Sequence, residues 1–291
     1  LLGKRVFGSI ASASRYLSGG TLPKWSEYLP KGAHKIVDRE KAENKNFNKG
    51  DSSEELRKMV YFPSCITRSM GVSQSYKDEL EITRLTEKLL KKAGYQIIYP
   101  ENLNKLCCGM AFSSKGYVKA GKKASDELES ALRKASDNGK YPILCDMSPC
   151  LYTMHNNMEG KLKLHEPAEF IKKYLIERLT ITPIEEKVAV FAVCSAKKLG
   201  IADDLYNIVK LCAKEVVVIE SNCCGFAGDR GFTYPELNSY GTRHIKEQIE
   251  GCQSGYATSR TCEIGLSEAT GIDFKSVLYL LDRASEPKAK Q

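Results

Sequence analysis

One arrangement of four cysteines occurs twice along this chain, and each copy carries an adjacent Cys-Cys-Gly. The first copy is Cys65, Cys107-Cys108-Gly109 and Cys150; the second is Cys194, Cys223-Cys224-Gly225 and Cys262. A pattern repeated at this spacing demands a repeated scaffold that returns distant thiols to one place. Eight of the 11 cysteines are used this way. Four thiols per copy is the number that holds one iron–sulfur cluster.

The 291 residues suit one large or two moderate domains. A chain of this length folds without disulfides, and disulfide-stapled secreted modules are much shorter. The thiols are therefore expected to be reduced and cytosolic, free to act as ligands. No window supplies the roughly 18 to 20 apolar residues that a membrane span needs. The sequence opens Leu1-Leu2 and is expected to be a piece of a longer protein. Net charge is +8, and Leu1–Gly50 holds ten Lys/Arg against four Asp/Glu. These charges lie along a polar stretch rather than on a basic face interleaved with aromatics, which speaks against nucleic-acid binding.

Three regions are expected. Residues 1–55 read as a linker arm from an upstream domain, with a helix over Leu1–Leu17 and with Trp25 and Tyr28 pinning it to a neighbouring surface. Residues 56–183 form a first lobe. Its strands are Met59–Pro63, Gln96–Pro100 and Pro142–Cys145, and its amphipathic helices are marked by Ile82/Leu85/Leu89 and Ala124/Leu128/Leu132. Gly94 ends one helix, Ser148-Pro149 starts another and Phe170–Leu175 closes the lobe. Residues 184–291 repeat the plan, with strands Lys187–Val193, Val216–Glu220 and Tyr256–Thr258. A helix there is lined by Ile201, Leu205, Ile208 and Cys212, and a capping box at Thr233 and Glu236 starts the next. Strand–helix alternation predicts an α/β fold. It has two similar lobes, each a mostly parallel sheet flanked by helices, packed face to face about a pseudo-twofold.

In both lobes the cysteines follow strands. Ligands of open parallel sheets sit beyond the strands' carboxyl ends, so each set of four is expected to converge there. Cys150 and Cys262 near helix N-termini favour thiolate. Arg68, Lys115, Lys197, Arg230 and Arg260 lie close in sequence and would balance an anionic cluster. Zinc also takes four cysteines, but neither set contains the short C-x-x-C chelate. A vicinal disulfide or thiol redox site is the third possibility.

Cys212 is expected in the core, and Cys145 and Cys252 as buried bystanders or fifth ligands. Gly225, Gly228 and Gly231 do not form a dinucleotide fingerprint and are read as close backbone around a cluster. Among His155, His165 and His244, His165, in the His165-Glu166-Pro167 turn, is the one expected near the first site, with a turn or surface role favoured. No paired carboxylates or serine–histidine–carboxylate set suggests hydrolysis, so no catalytic residue is assigned.

The segments Pro63-Ser64-Cys65, Leu106–Met110, Ser148-Pro149-Cys150, Asn222–Gly231 and Thr258–Glu263 resemble the cysteine-rich CCG-domain family over roughly residues 57–285. The match is most similar to the C-terminal portion of flavin-dependent, NAD-independent D-lactate dehydrogenase and glycolate oxidase-type enzymes. The resemblance implies an electron-transfer module with one 4Fe-4S cluster per lobe. Cys65, Cys107, Cys108, Cys150, Cys194, Cys223, Cys224 and Cys262 would be ligands. Arg68, Gly109, Gly225, Arg230 and Arg260 would line the clusters. FAD would sit on a flavin domain outside this sequence, and electrons would leave toward a membrane quinone or a cytochrome. The implied location is cytoplasmic, with peripheral association at the inner membrane face left open. Many members end each lobe in C-x-x-C, but Met147 and Ser259 stand at the first of those positions, which disfavours a five-cysteine cluster. A heterodisulfide-reductase-like thiol–disulfide domain and a docking module with structural cysteines remain the alternatives.

Overall fold

The computed structural model describes residues 4–36, 57–159 and 161–288. The expected linker run Glu43–Glu55 lies outside them. The N-terminal arm contains helix α1, Lys4–Leu17. Trp25 turns back onto this helix, edge-on to Phe7 with ring centroids 5.8 Å apart. The arm is fastened to the second lobe by Arg15 and Lys24. The Arg15 guanidinium donates to the Thr233 carbonyl at 2.7 Å, the Lys24 N–H donates to Phe232 O at 2.6 Å, and the Lys24 ammonium pairs with Glu268.

The chain divides into two units. One comprises Gly32–Gly71, Glu81–Ile181 and Ser285–Gln291; the other comprises Leu1–Lys31, Val72–Leu80 and Thr182–Ala284. Each is built on a four-stranded, all-parallel sheet.

In the first lobe the strands are β1 (Arg57–Phe62), β2 (Tyr95–Ile98), β3 (Ile143–Cys145) and β4 (Leu164–His165), in the order β2-β1-β3-β4. Met59–Phe62 is almost wholly buried, as a strand covered on both faces must be. Helix α2 (Cys65–Ser69) follows β1 directly, and α3 (Ile82–Lys92) returns the chain to β2. Leu85 and Leu89 are buried together with Leu90, and Gly94 ends the turn at φ +79°. Helix α4 (Val118–Ala135) crosses to β3, and α5 (Ser148–Asn157) follows it.

The second lobe repeats this order. Strands β5 (Ile184–Val190), β6 (Ala213–Val218), β7 (Ser254–Ala257) and β8 (Phe274–Ser276) are arranged β6-β5-β7-β8. Helices α6 (Cys194–Lys198) and α7 (Ala202–Cys212) join β5 to β6. The long α4 of the first lobe is replaced here by two short helices, α8 (Pro235–Thr242) and α9 (Ile245–Gln248). Helix α10 (Arg260–Thr270) follows β7.

Both lobes thus share a doubly wound order whose direction reverses between the first and third strands. That switch point opens a crevice beyond the carboxyl ends. Two expected caps are corrected. Thr233 and Glu236 form no capping box: Thr233 ends a short helix, Arg230–Thr233, and Tyr234 is the N-cap of α8 with no side-chain bond. Ser148 is not the cap of α5 either. Met147 takes that position, and the Ser148 hydroxyl instead donates to the buried Glu166 carboxylate at 3.1 Å.

Candidate metal centre

Each cysteine is delivered by a strand. In the first lobe β1 runs through Pro63-Ser64 into Cys65, the first residue of α2. The Ser64 hydroxyl accepts from Thr67 N–H at 3.2 Å and fixes that turn. Beyond β3, the buried Asp146 carboxylate accepts from Ser64 N–H and from the Tyr61 hydroxyl, both at 2.9 Å. It therefore ties together the two strand ends that flank the switch point. Burial pushes its pKa up, against those hydrogen bonds. Cys107 and Cys108 lie in the loop after β2, and Cys150 sits in the first turn of α5. The thiolate expected there from the helix dipole is overruled: a hydrogen bond with Cys108 favours it, but Cys145 and burial push the Cys150 thiol well up.

These elements bring the sulfurs into one string. Cys65 neighbours Cys107, Cys107 neighbours Cys108, and Cys108 neighbours Cys150. The string extends one step further, from Cys150 to Cys145. In the second lobe Cys194 neighbours Cys223, Cys223 neighbours Cys224, and Cys224 neighbours Cys262. All eight cysteines singled out from sequence thus fall into two groups. Cys212 and Cys252 stay apart: Cys212 is buried on α7, and Cys252 is buried with Lys187 and Glu215 as its charged surroundings. Among the described residues no three His, Cys, Asp or Glu side chains are gathered to hold a single metal ion. The sulfurs run side by side instead.

The electrostatics single out one sulfur in each group. Cys107 is driven down to about 2 by hydrogen bonds from Cys108 and Cys65, and Cys223 to about 2 by those from Cys194 and Cys224. Cys65, Cys108, Cys194 and Cys224 are correspondingly pushed up, with burial adding to the rise. The backbone joins in. Gly109 N–H donates to Cys107 Sγ at 3.4 Å, and Gly225 N–H to Cys223 Sγ at 3.3 Å. These glycines have φ of +89° and +72°. A Cβ would lie 2.2 Å from Gly121 O at Gly109 and 2.0 Å from Leu237 O at Gly225. Only glycine allows that turn and that approach to the neighbouring helix.

The cations differ in use. Arg68 donates to Pro63 O at 3.1 Å and also to the Leu103 and Leu106 carbonyls, clamping the Cys107-Cys108 loop to the end of β1. Its charge also lowers Cys107. Lys197, at the matching place in the second lobe, donates to Ser221 O at 2.5 Å and lowers Cys223. Arg230 lies exposed at the start of its short helix. Arg260 is buried and donates to the Tyr76 hydroxyl at 2.7 Å and pairs with Glu263 at 3.4 Å. His165 is buried against Phe170 and Tyr174 rather than lying on the surface.

Sequence reasoning did not single out Asp146, Asn238 or Ser195, and it read Ser259 only as the residue standing where a further cysteine would be. Asn238 is buried and donates to Cys224 O at 2.7 Å, holding the second Cys-Cys-Gly loop on α8. The hydroxyls of Ser195, beside Cys194, and Ser259, three residues before Cys262, are buried without a partner among the described residues. Buried polar atoms normally find partners. Two orphaned hydroxyls close in sequence to grouped thiols, with N–H donors aimed at sulfur, fit a group carrying sulfur acceptors.

The cysteine-rich domain family (CCG) matches this sequence twice, over residues 59–155 and 188–267, one match per lobe. The chain belongs to the CCG family. Its relatives include a subunit of the anaerobic glycerol-3-phosphate dehydrogenase of Escherichia coli (strain K12). That protein is 27% identical over 214 residues, covering 66% of this chain and 51% of the relative. Lactate utilization protein A of Bacillus licheniformis is 29% identical over 161 residues, covering 50% of this chain and 66% of that protein. The CCG chain thus spans about half the length of the first of these. Among solved structures, Picrophilus torridus aspartate racemase overlaps 80% of this chain and 96% of its own at 8% identity and a TM-score of 0.37. That likeness is too slight to speak to fold or function. Among the described residues no helix is long and apolar enough to cross a membrane.

Proposed function

We propose that this chain is an iron–sulfur electron-transfer module of a flavin-dependent dehydrogenase. Its substrate would be a D-2-hydroxyacid of the D-lactate or glycolate kind. Electrons would enter from a flavin on a partner domain and leave toward a quinone or cytochrome. The observation that carries this reading is the pair of four-sulfur groups at the same strand ends of two matching sheets. The names of the glycerol-3-phosphate dehydrogenase component and the lactate utilization protein support an oxidoreductase setting. The lactate name favours a hydroxyacid.

Cys65, Cys107, Cys108 and Cys150 would hold one cluster, and Cys194, Cys223, Cys224 and Cys262 the other. Bound there, a four-iron cluster supplies a one-electron carrier. The rest is the work of the chain. Gly109 and Gly225 donate N–H bonds to sulfur and favour the more anionic state. Arg68 and Lys197 add positive charge while fixing the loops. Buried Cys108, Cys150, Cys224 and Cys262 keep water from the base of each crevice.

The test is anaerobic purification with iron, sulfide and zinc analysis, absorbance and electron paramagnetic resonance. The expected result is about eight iron atoms per chain and a broad band near ~400 nm that bleaches on reduction, the signature of two four-iron clusters. Cys108→Ser and Cys224→Ser should each remove about half the iron. A colourless protein holding zinc after reconstitution with iron and sulfide would overturn the proposal.

A further inference from the structure

The two lobes match strand for strand but not charge for charge. In the first sheet Val60 pairs with Ile143, and in the second Ala189 pairs with Gly255. Counting forward from these pairs places Cys65 on Cys194 and Cys150 on Cys262, so register and sulfurs give one alignment. Arg68 then falls on Lys197, and each lobe keeps one cation beside its Cys-Cys-Gly loop. Asp146, however, falls on Thr258, and both are buried. Tyr61, whose hydroxyl donates to Asp146, falls on Val190, which has no side-chain donor. One strand further across, Ile143 pairs with Leu164 and Gly255 with Phe274, which places Glu166 on Ser276. Each of these caps the helix behind it: Glu166 accepts from Glu169 N–H at 3.0 Å and Ser276 from Leu278 N–H at 3.4 Å. Two buried carboxylates of the first lobe are thus hydroxyls in the second.

Asp146 lies against the first sulfur group. It bears electrostatically on Cys145 and Cys150, and it accepts from the N–H of Ser64, the residue before Cys65. Donors face both of its oxygens, the pattern of an ionised carboxylate. It also faces the Arg68 guanidinium and offsets that charge. Glu166 reaches the first turn of α5 through the Ser148 hydroxyl. In the second lobe the buried Arg260 is balanced by Glu263, and no carboxylate stands at the Asp146 position to offset Lys197. A negative charge held in a poorly screened interior disfavours the gain of an electron beside it.

We propose that Asp146, seconded by Glu166, sets the first lobe's cluster at a lower reduction potential than the second's, so that a single electron shared by the two rests in the second lobe. The inference rests on the electron-transfer reading and adds the order in which the two sites fill. Asp146 acts through its field and is not a ligand.

The test is a redox titration of the anaerobically purified chain, read by electron paramagnetic resonance. The parent should show two separate one-electron waves. Cys224→Ser, which keeps only the first site, should retain the more negative wave, and Cys108→Ser the other. Asp146→Asn in the Cys224→Ser chain should raise the reduced-to-oxidised ratio at a fixed potential at least tenfold, a shift of about 59 mV for one electron. In the Cys108→Ser chain the same substitution should change nothing. Glu166→Gln should move the first site the same way by less, and serves if Asp146→Asn does not fold. Coincident waves, the reverse order, or a first site that neither folded variant moves overturns the inference while the iron content still stands for the module. A chain that takes up no iron defeats the electron-transfer reading, and the inference falls with it.

Discussion

A single cation does most to hold the first Cys-Cys-Gly loop in place. Arg68 reaches three carbonyls on two segments, Pro63 on one and Leu103 and Leu106 on the other. Each such bond, partly screened by solvent, contributes about 1 kcal/mol net, and losing several leaves carbonyls unpaired. Arg68→Met should therefore cost about 3 kcal/mol in urea unfolding, with Arg68→Lys recovering only part, because an ammonium lacks the planar fork. Lys197 makes one such bond to Ser221, so Lys197→Met should cost about 1 kcal/mol. Equal losses at both sites would show that charge alone, not the clamp, matters. The parallel Cys65–Arg68 and Cys194–Lys197 spacing made both cations legible in the sequence. Their targets were not legible, since carbonyls carry no residue signature. Cys145 illustrates the opposite limit: its place at a strand end five residues before Cys150 was visible, but only the fold shows its sulfur beside Cys150.

At the level of elements, strands and the cysteines behind them were readable because buried parallel strands leave compact apolar runs such as Val188–Val193. The fourth strands, Leu164–His165 and Phe274–Ser276, were not, being two or three residues long. The break between α8 and α9 also escaped, since no proline or glycine stands at Arg243-His244. The two Cys-Cys-Gly glycines invite a matched test. Gly225→Ala would place a methyl 2.0 Å from Leu237 O at a φ of +72°, so loss of more than about 2 kcal/mol is expected. Chain elements also set a pH response. Burial raises the Glu166 carboxyl to about 7 from 4.5, opposed by bonds from Glu169 N–H and Ser148. Between those values the folded chain binds more protons than the unfolded one, so stability falls as pH rises through that window, by about 3 kcal/mol. Glu169 has the opposite sign. Burial opposes it, but His165 and Lys173 bring it down to about 2, so its contribution is lost only as pH falls below about 4.5. Urea midpoints at pH 5 and 7.5 should differ in the parent and converge in Glu166→Gln.

Across the whole molecule, duplication gives two sheets of one topology with unequal access to their sulfurs, and labelling of the metal-free chain measures that inequality. Exposure and thiolate character must coincide for alkylation. Cys194 is exposed but pushed up by its hydrogen bond to Cys223, so it stays protonated. Cys107 is driven down to about 2 but is half-buried. Cys212, buried and pushed up to about 12, fails on both counts. Cys223 alone among these four combines exposure with a pKa driven down to about 2. A thiolate of such low pKa is a weak nucleophile, so its reaction is slow, yet it persists where ordinary thiols fall silent. Iodoacetamide at pH 5.5 followed by peptide mass spectrometry should therefore modify Cys223 first and Cys107 several times more slowly. The rate at Cys223 should change little up to pH 8, whereas Cys194 should become reactive only once Cys223 is blocked and its hydrogen bond lost. Equal labelling of Cys107 and Cys223 would mean that the two crevices are equally open.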